Sequence, residues 1–299
     1  MGLKKLFMPM AGFRYRVGAL NIWRCYNVNM KILLIGASSY VGGRLFADLS
    51  KQHSMLGTYF QHPKNADFLS LDITDQKAIT EIVVQQKPDI IIHAANYASR
   101  KDSVNNETRF AKINWEATKI LVDLSKQYHY KFIFISSQAA KFLDTMYGRC
   151  KHDSEEYIKK NCSEYLIIRP SVVYGMSPNL NGDKPFIKIV STIREKLPQK
   201  VDSSWLFQPT YIGHISQVIS QTIEKNIWNK TVNLFINTPV SQFSIARDIV
   251  RHFGLEVAAE DLGKSSTLVV DNAVDLANYD LSPNSYADLI EILVAEIKV

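Results

Sequence analysis

Tyr147-Gly148-Arg149-Cys150-Lys151 sets a phenol and an ammonium four residues apart, a spacing that makes them neighbours on one face of a helix. An ammonium beside a phenol favours the phenolate and is expected to draw its pKa down from ~10. A tyrosine tuned in this way works as a general acid or base. Ketone reduction needs such a proton donor next to a hydride source. Ser137, in Ile135-Ser136-Ser137-Gln138, lies ten residues upstream at the end of an apolar run, where its hydroxyl could hydrogen-bond the reacting carbonyl. The chain has a second pair of this spacing, Tyr97 and Lys101, but it falls in a segment read as a loop, where a spacing of four does not bring side chains together.

These residues need a scaffold. Lys31–Ile35 is a short β-branched run of the kind found in buried parallel strands. It breaks into Gly36-Ala37-Ser38-Ser39-Tyr40-Val41-Gly42-Gly43, and helical spacing resumes through Leu45, Phe46 and Leu49. Strand, small-residue turn and helix in this order form a phosphate site, because the helix N-terminus offers free N–H groups and a partial positive charge. Ser39 stands where the middle glycine of such a turn is expected; its hydroxyl could donate to a phosphate or cap the helix. Further strands are read at Met55–Phe60, Phe68–Leu71, Asp89–His93, Lys131–Ile135 and Tyr165–Ile168, and helices at Asp75–Gln85, Thr108–Tyr128 and Met146–Lys160. Alternation of this kind predicts an α/β fold with a doubly wound, parallel, Rossmann-like sheet. Ser137 then lies at the carboxyl end of its strand, where open α/β sheets bind ligands. The division expected is a dinucleotide-binding domain over 30–175 and a smaller C-terminal substrate-binding region over 176–299, with one strand near 231–236 returning to the main sheet.

A length of 299 residues allows a large core, and 46% hydrophobic with 21% charged residues is an ordinary globular balance. No apolar run approaches the ~18 residues that span a bilayer. The net charge of +6 is concentrated in Lys4, Lys5, Arg14, Arg16 and Arg24, which precede Met30 without any acid; the rest carries +1. A general nucleic-acid surface is therefore not expected. Residues 1–29 read as a basic extension outside the fold. They lack a continuous apolar core for secretion, serine for a transit peptide, and Ser or Thr at position 6 for myristoylation. The expectation is that translation starts at Met30. Cys25, Cys150 and Cys162 show no paired spacing, which suits a reducing, cytoplasmic setting, and the seven scattered histidines suggest no metal site.

With these residues in view, the chain resembles an extended short-chain dehydrogenase/reductase, and within that group the dTDP-4-dehydrorhamnose reductase branch of nucleotide-sugar enzymes. The resemblance runs from Met30 to about Gly175 and more weakly beyond. The Gly36–Gly42 turn, Asp72 in Leu71-Asp72-Ile73-Thr74-Asp75, His93-Ala94-Ala95-Asn96, Asn114, the Ser137–Tyr147–Lys151 set, Arg169-Pro170-Ser171-Val172-Val173-Tyr174-Gly175 and Gln208-Pro209-Thr210-Tyr211-Ile212 carry it in order. It implies that Gly36, Ser38, Ser39, Tyr40, Val41 and Gly42 hold a pyrophosphate, that Asp72 and Ile73 lie at the adenine, and that Ala94, Ala95 and Asn96 line the cofactor. It implies a structural role for Asn114. Tyr147 would protonate the carbonyl oxygen, Ser137 would orient it, and Lys151 would bind the nicotinamide ribose and tune Tyr147. Where NAD-selective members carry an acid after the second strand, this chain has Gln61-His62-Pro63-Lys64; His62 and Lys64 could face a 2′-phosphate, so the expected cofactor is NADPH, with NADH as the other choice.

The implied activity is reduction of a nucleotide-linked 4-keto-6-deoxy sugar, with a homodimer as a possible assembly. Two alternatives stay open: a nucleotide-sugar 4-epimerase that keeps NAD bound, and a regulatory subunit that keeps the fold without catalysis. Arg100 and Lys101 could meet the substrate diphosphate or be solvated loop charges. Gln138 is counted with the substrate contacts, at a position where reductases and dehydratases of the group usually have an acid. The Ser137–Tyr147 connection is shorter than usual in the group. His214 replaces a usual aspartate and is expected at the surface.

Overall fold

The computed structural model describes residues 29–63, 65–97, 106–196, 199–264 and 270–298. Six strands come first: β1 (Lys31–Ile35), β2 (Ser54–Tyr59), β3 (Leu69–Ser70), β4 (Ile90–His93), β5 (Lys131–Ile135) and β6 (Tyr165–Pro170). The second half adds β7 (Val172–Tyr174), β8 (Lys200–Asp202), β9 (Leu206–Phe207), β10 (Pro209–Tyr211), β11 (Lys230–Leu234), β12 (Val240–Ser241) and β13 (Ala258–Glu260). The main sheet has seven strands in the order β11-β6-β5-β4-β1-β2-β3, all paired in parallel. Strand order reverses on either side of β1 and β4, the crevice where doubly wound sheets bind ligands.

Period-two alternation sends side chains to both faces. Ile32 and Leu34 pack with the Tyr40–Leu49 and Ile212–Lys225 helices. Leu33 and Ile35 pack on the opposite face with the Gln76–Gln86 and Ala117–Tyr128 helices. Ile32, Leu33 and Leu34 are at most 1% exposed, and each such side chain contributes about 1.5–3 kcal/mol on burial. A third cluster gathers the Pro185–Glu195, Gln242–Val250 and Tyr286–Lys298 helices around Tyr40, Tyr174 and Tyr211. The second-half elements are thereby fastened to the start of the cofactor helix.

The fastening is also polar. Arg44 donates to Met176 O at 2.9 Å, to Glu296 Oε1 at 2.8 Å and to Tyr211 Oη at 3.0 Å. Glu296 accepts in turn from Tyr211 Oη and the Met176 amide, each at 2.7 Å. The long helix read over 108–128 is interrupted: Glu107–Ala111 and Ala117–Tyr128 flank a π-helical turn, Lys112–Glu116. Such turns cluster at functional sites. Among the described residues, no helix is long and apolar enough to cross a membrane.

Candidate active site

At the end of β1, Gly36 has φ +88°, and a Cβ there would lie 2.7 Å from Ala95 N. A Cβ on Gly42 would sit 2.1 Å from Gly36 O. The turn can close this tightly only without side chains at these two points. Ser39 takes the cap role: its Oγ accepts from Gly42 N at 3.0 Å. That amide is one of the donors an uncapped turn would offer to a pyrophosphate. Tyr40 is buried and its hydroxyl donates to Gly175 O at 2.5 Å, so its side chain faces the second-half core and leaves the backbone for a ligand. Asn179 Nδ2 reaches Ser38 O, and Ser177 Oγ reaches Tyr40 O at 2.7 Å; neither contact was visible in the sequence.

Beyond β2, Gly36 N donates to the buried Thr58 Oγ1 at 3.1 Å, and His62 is exposed. Asp72 is exposed and accepts from Thr74 N at 2.9 Å and Thr74 Oγ1 at 2.7 Å, while Ile73 is buried beside it. After β4 come buried Ala94, half-buried Ala95 and exposed Asn96. These groups border the same sheet end as the turn, and the donors, the glycine-walled cradle and the exposed loop fit a dinucleotide. Lys64, Arg100 and Lys101 lie outside the described residues, as do residues 1–28 of the basic extension. Among the described residues no group of three metal-binding side chains is present.

The reactive cluster forms at the ends of β4 and β5. The Tyr147 hydroxyl faces the side chains of Ser137 and Asn96, both of which favour its ionised form. Ser137 also caps a 3₁₀ turn, Gln138–Lys141, accepting from Ala139 N at 3.2 Å. Thr145 caps the Met146–Asn161 helix through Gly148 N at 3.0 Å. The short connection is folded hard against that helix. Asn114, in the π turn, donates to Tyr97 O at 2.9 Å and accepts from Tyr97 N at 3.0 Å, fixing the segment that carries Asn96.

The electrostatics correct one expectation. The phenol is not lowered by its neighbouring lysine. Enclosure of the Tyr147 hydroxyl outweighs the lowering influence of Ser137 and Asn96 and pushes its pKa up to about 12. Lys151, 2% exposed, donates to Ile135 O at 2.9 Å, and its Nζ lies 5.8 Å from the Tyr147 ring centre. Burial draws Lys151 down to about 7, partly opposed by Glu155. Before any ligand arrives, the phenol is therefore a protonated donor, and the lysine carries the adjustable charge. His93, at the end of β4, is buried, contacts Thr118 Oγ1 at 3.2 Å and is held near 3 by burial and by Lys151. Gln138 is 1% exposed, and neither its amide oxygen nor its nitrogen has a hydrogen-bond partner. His214 is also buried, against expectation; it packs edge-on to Tyr211 at 5.4 Å between ring centres.

Two residues absent from the sequence-based site stand behind it. Glu155 is fully buried and binds the Arg169 guanidinium through both carboxylate oxygens. The helical stripe Tyr147–Lys151–Glu155 was available as a signal, since each step is four residues.

The sequence profile of the NAD dependent epimerase/dehydratase family matches residues 32–205. The chain belongs to this family, which is of the short-chain dehydrogenase/reductase type. An RmlD substrate binding domain profile matches residues 144–270. The chain is 26% identical over 285 residues to a dTDP-4-dehydrorhamnose reductase of Aggregatibacter actinomycetemcomitans, covering 88% of this chain and 92% of that one. Its fold is similar to that of the Bacillus anthracis dTDP-4-dehydrorhamnose reductase in complex with NADP, with a TM-score of 0.74 at 18% identity, covering 91% and 99% of the two chains. It is likewise similar to the Thermotoga maritima UDP-glucose 4-epimerase with UDP-glucose, with a TM-score of 0.75 at 18% identity over 90% and 98%.

Proposed function

We propose that this protein reduces a nucleotide-linked 4-keto-6-deoxy sugar with NADPH, accepting NADH less well, in the manner of a dTDP-4-dehydrorhamnose reductase. The observation that carries this reading is the grouping of Ser137, Tyr147 and Asn96 beside buried Lys151 at the carboxyl end of the sheet. The family match and the similarity to dTDP-4-dehydrorhamnose reductases support it.

When bound, the dinucleotide supplies a hydride. The Gly36–Gly42 turn, with Ser38, Ser39, Tyr40 and Val41, would hold the pyrophosphate by backbone donors. Asp72, Ile73, Ala94, Ala95 and Asn96 would border the adenosine and nicotinamide halves, and exposed His62 would face a 2′-phosphate. Ser137 donates to the substrate carbonyl oxygen and orients it. Tyr147, protonated at neutral pH, delivers its proton to that oxygen as negative charge develops there. Lys151, with one N–H held by Ile135 O, has others for the nicotinamide ribose, and its charge stabilises the phenolate left behind. Gln138 offers a buried amide to a substrate hydroxyl, which would satisfy donor and acceptor together. Residues 176–299 form the substrate-binding region in this reading.

The test is nicotinamide oxidation by the native protein with NADPH or NADH and a panel of nucleotide-linked 4-keto-6-deoxy sugars. Turnover is expected, and Tyr147→Phe should lower kcat by about 10²–10⁴-fold with cofactor affinity retained. Cofactor binding without turnover on any member of the panel refutes the reductase reading; NAD that stays bound through purification would then mark the epimerase.

A further inference from the structure

Three consecutive residues at the end of β5 grip three residues spaced by four along the Met146–Asn161 helix. Ile135 O takes the Lys151 ammonium at 2.9 Å. Ser136 Oγ donates to Glu155 Oε1 at 2.5 Å. Ser137 lies beside Tyr147. The strand thus addresses successive turns of one helical stripe. Glu155 is also tied to β6, because Arg169 Nε lies 2.9 Å and 3.0 Å from its two oxygens, with a further contact from Nη2.

A carboxylate at 0% exposure is costly unless it is paired and hydrogen-bonded. One guanidinium and one hydroxyl meet that need. The same carboxylate is the acidic group that favours the charged form of Lys151, one turn away. The other groups around the ammonium carry no negative charge. His93 approaches from β4, buried and neutral. Phe134 presents its ring from β5 with its centre 4.5 Å from Nζ. Tyr147 and Cys150 flank it on its own helix, both protonated at neutral pH by burial. The cation Arg169 on β6 is neutralised by Glu155 itself.

We propose that Glu155 is a positioning residue for Lys151: it locks the helix to the ends of β5 and β6 and supplies the countercharge under which a buried ammonium persists beside the phenol. The inference deepens the proposed reductase function and rests on it for its catalytic meaning. Its physical content concerns the protein alone.

The experiment is a pH titration of Lys151 by NMR in protein carrying ¹³Cε-lysine, with the resonance assigned by Lys151→Arg and no cofactor or substrate present. In Glu155→Gln, which keeps shape and removes charge, the Lys151 midpoint should fall by about one pH unit or more from its native position near 7. Glu155→Asp should restore a midpoint close to the native one. Equal midpoints in native and Glu155→Gln protein overturn the proposal. So does an equal fall in Glu155→Asp, which would mark an effect of packing and not of charge. Should Glu155→Gln fail to fold, Glu155→Gln/Arg169→Gln is read against Arg169→Gln, so that the two differ only in the carboxylate: a midpoint lower in the double variant supports the proposal, and equal midpoints overturn it. A titration that behaves as proposed in a protein inactive on every sugar would remove the reductase reading and leave this inference standing.

Discussion

Gly148 lies where the short connection meets the helix that carries Tyr147 and Lys151. A Cβ at this position would sit 2.1 Å from Phe142 O and 2.6 Å from Ala139 O, both backbone atoms that no side-chain rotation can move. Two effects compete in Gly148→Ala. Alanine in place of glycine within a helix gains about 1 kcal/mol of propensity. Relieving the overlap requires the 3₁₀ turn and the helix to separate by about 1 Å, and forced core shifts of this kind cost about 1–3 kcal/mol or more. Phe142 O and Ala139 O are both hit, so the upper part of that range applies and the clash wins. The expected net loss is about 1–2 kcal/mol. For a chain of this size that lowers Tm by roughly 2–8 °C. Activity should suffer more, because Ser137 moves with the turn and Tyr147 with the helix, and a misplacement near 1 Å costs on the order of 10²-fold. Differential scanning calorimetry and kcat with the best substrate of the panel are the two readouts. Gly148→Ala protein with unchanged or raised Tm and full activity would show that the packing argued from these contacts is wrong.

Ser39→Gly should cost only a few tenths of a kcal/mol in stability, because glycine is itself tolerated as a cap, yet it frees Gly42 N to face a phosphate. NADPH affinity, read by fluorescence titration, is expected to rise several-fold, and weaker binding would contradict the role given to the turn. The buried Lys151 binds a proton less readily in the folded than in the unfolded chain, so the unfolded state holds more protons between about pH 7 and 10.5 and stability rises with pH across that window. Urea unfolding should show this slope, up to about 1.4 kcal/mol per pH unit, in native protein and lose it in Lys151→Met; parallel curves would refute it. Glu296→Gln weakens the tie to half-buried Arg44 and is expected to cost about 1–3 kcal/mol, seen as a lowered urea midpoint with unchanged slope.

The parts of this protein legible in its sequence are those governed by short-range rules. The β1 run, the glycine turn and the helix after it follow from side-chain volume and backbone freedom within a dozen residues. The alternation of strands and helices was enough to place Ser137 and Tyr147 at one sheet end. What escaped depends on groups far apart in the chain. The effect of Lys151 on Tyr147 was misjudged because spacing along a helix says nothing about desolvation, and burial reverses the direction of the phenol's shift. His214 reads as surface because it opens a helix, but Tyr211 and the rest of the second-half core enclose it. The long-range role of Arg44 could not be read, since only its neighbour Asp48 is local and Glu296 is 252 residues away. Glu155 lay in plain view one turn beyond Lys151, and only its complete burial distinguishes it from the solvated Glu156 next to it.

The tie between Arg44 and Glu296 has a meaning for how this protein is made. Arg44 belongs to the helix that opens at the glycine turn, and it emerges from the ribosome early. Its carboxylate partner, which also caps the Met176 amide, is synthesised 252 residues later. A nascent chain that has completed the whole seven-stranded sheet has Asp48 beside its Arg44 guanidinium but still lacks the Glu296 carboxylate that joins it to the last helix. The tie behind the phosphate turn therefore closes only after every strand of the main sheet has been made.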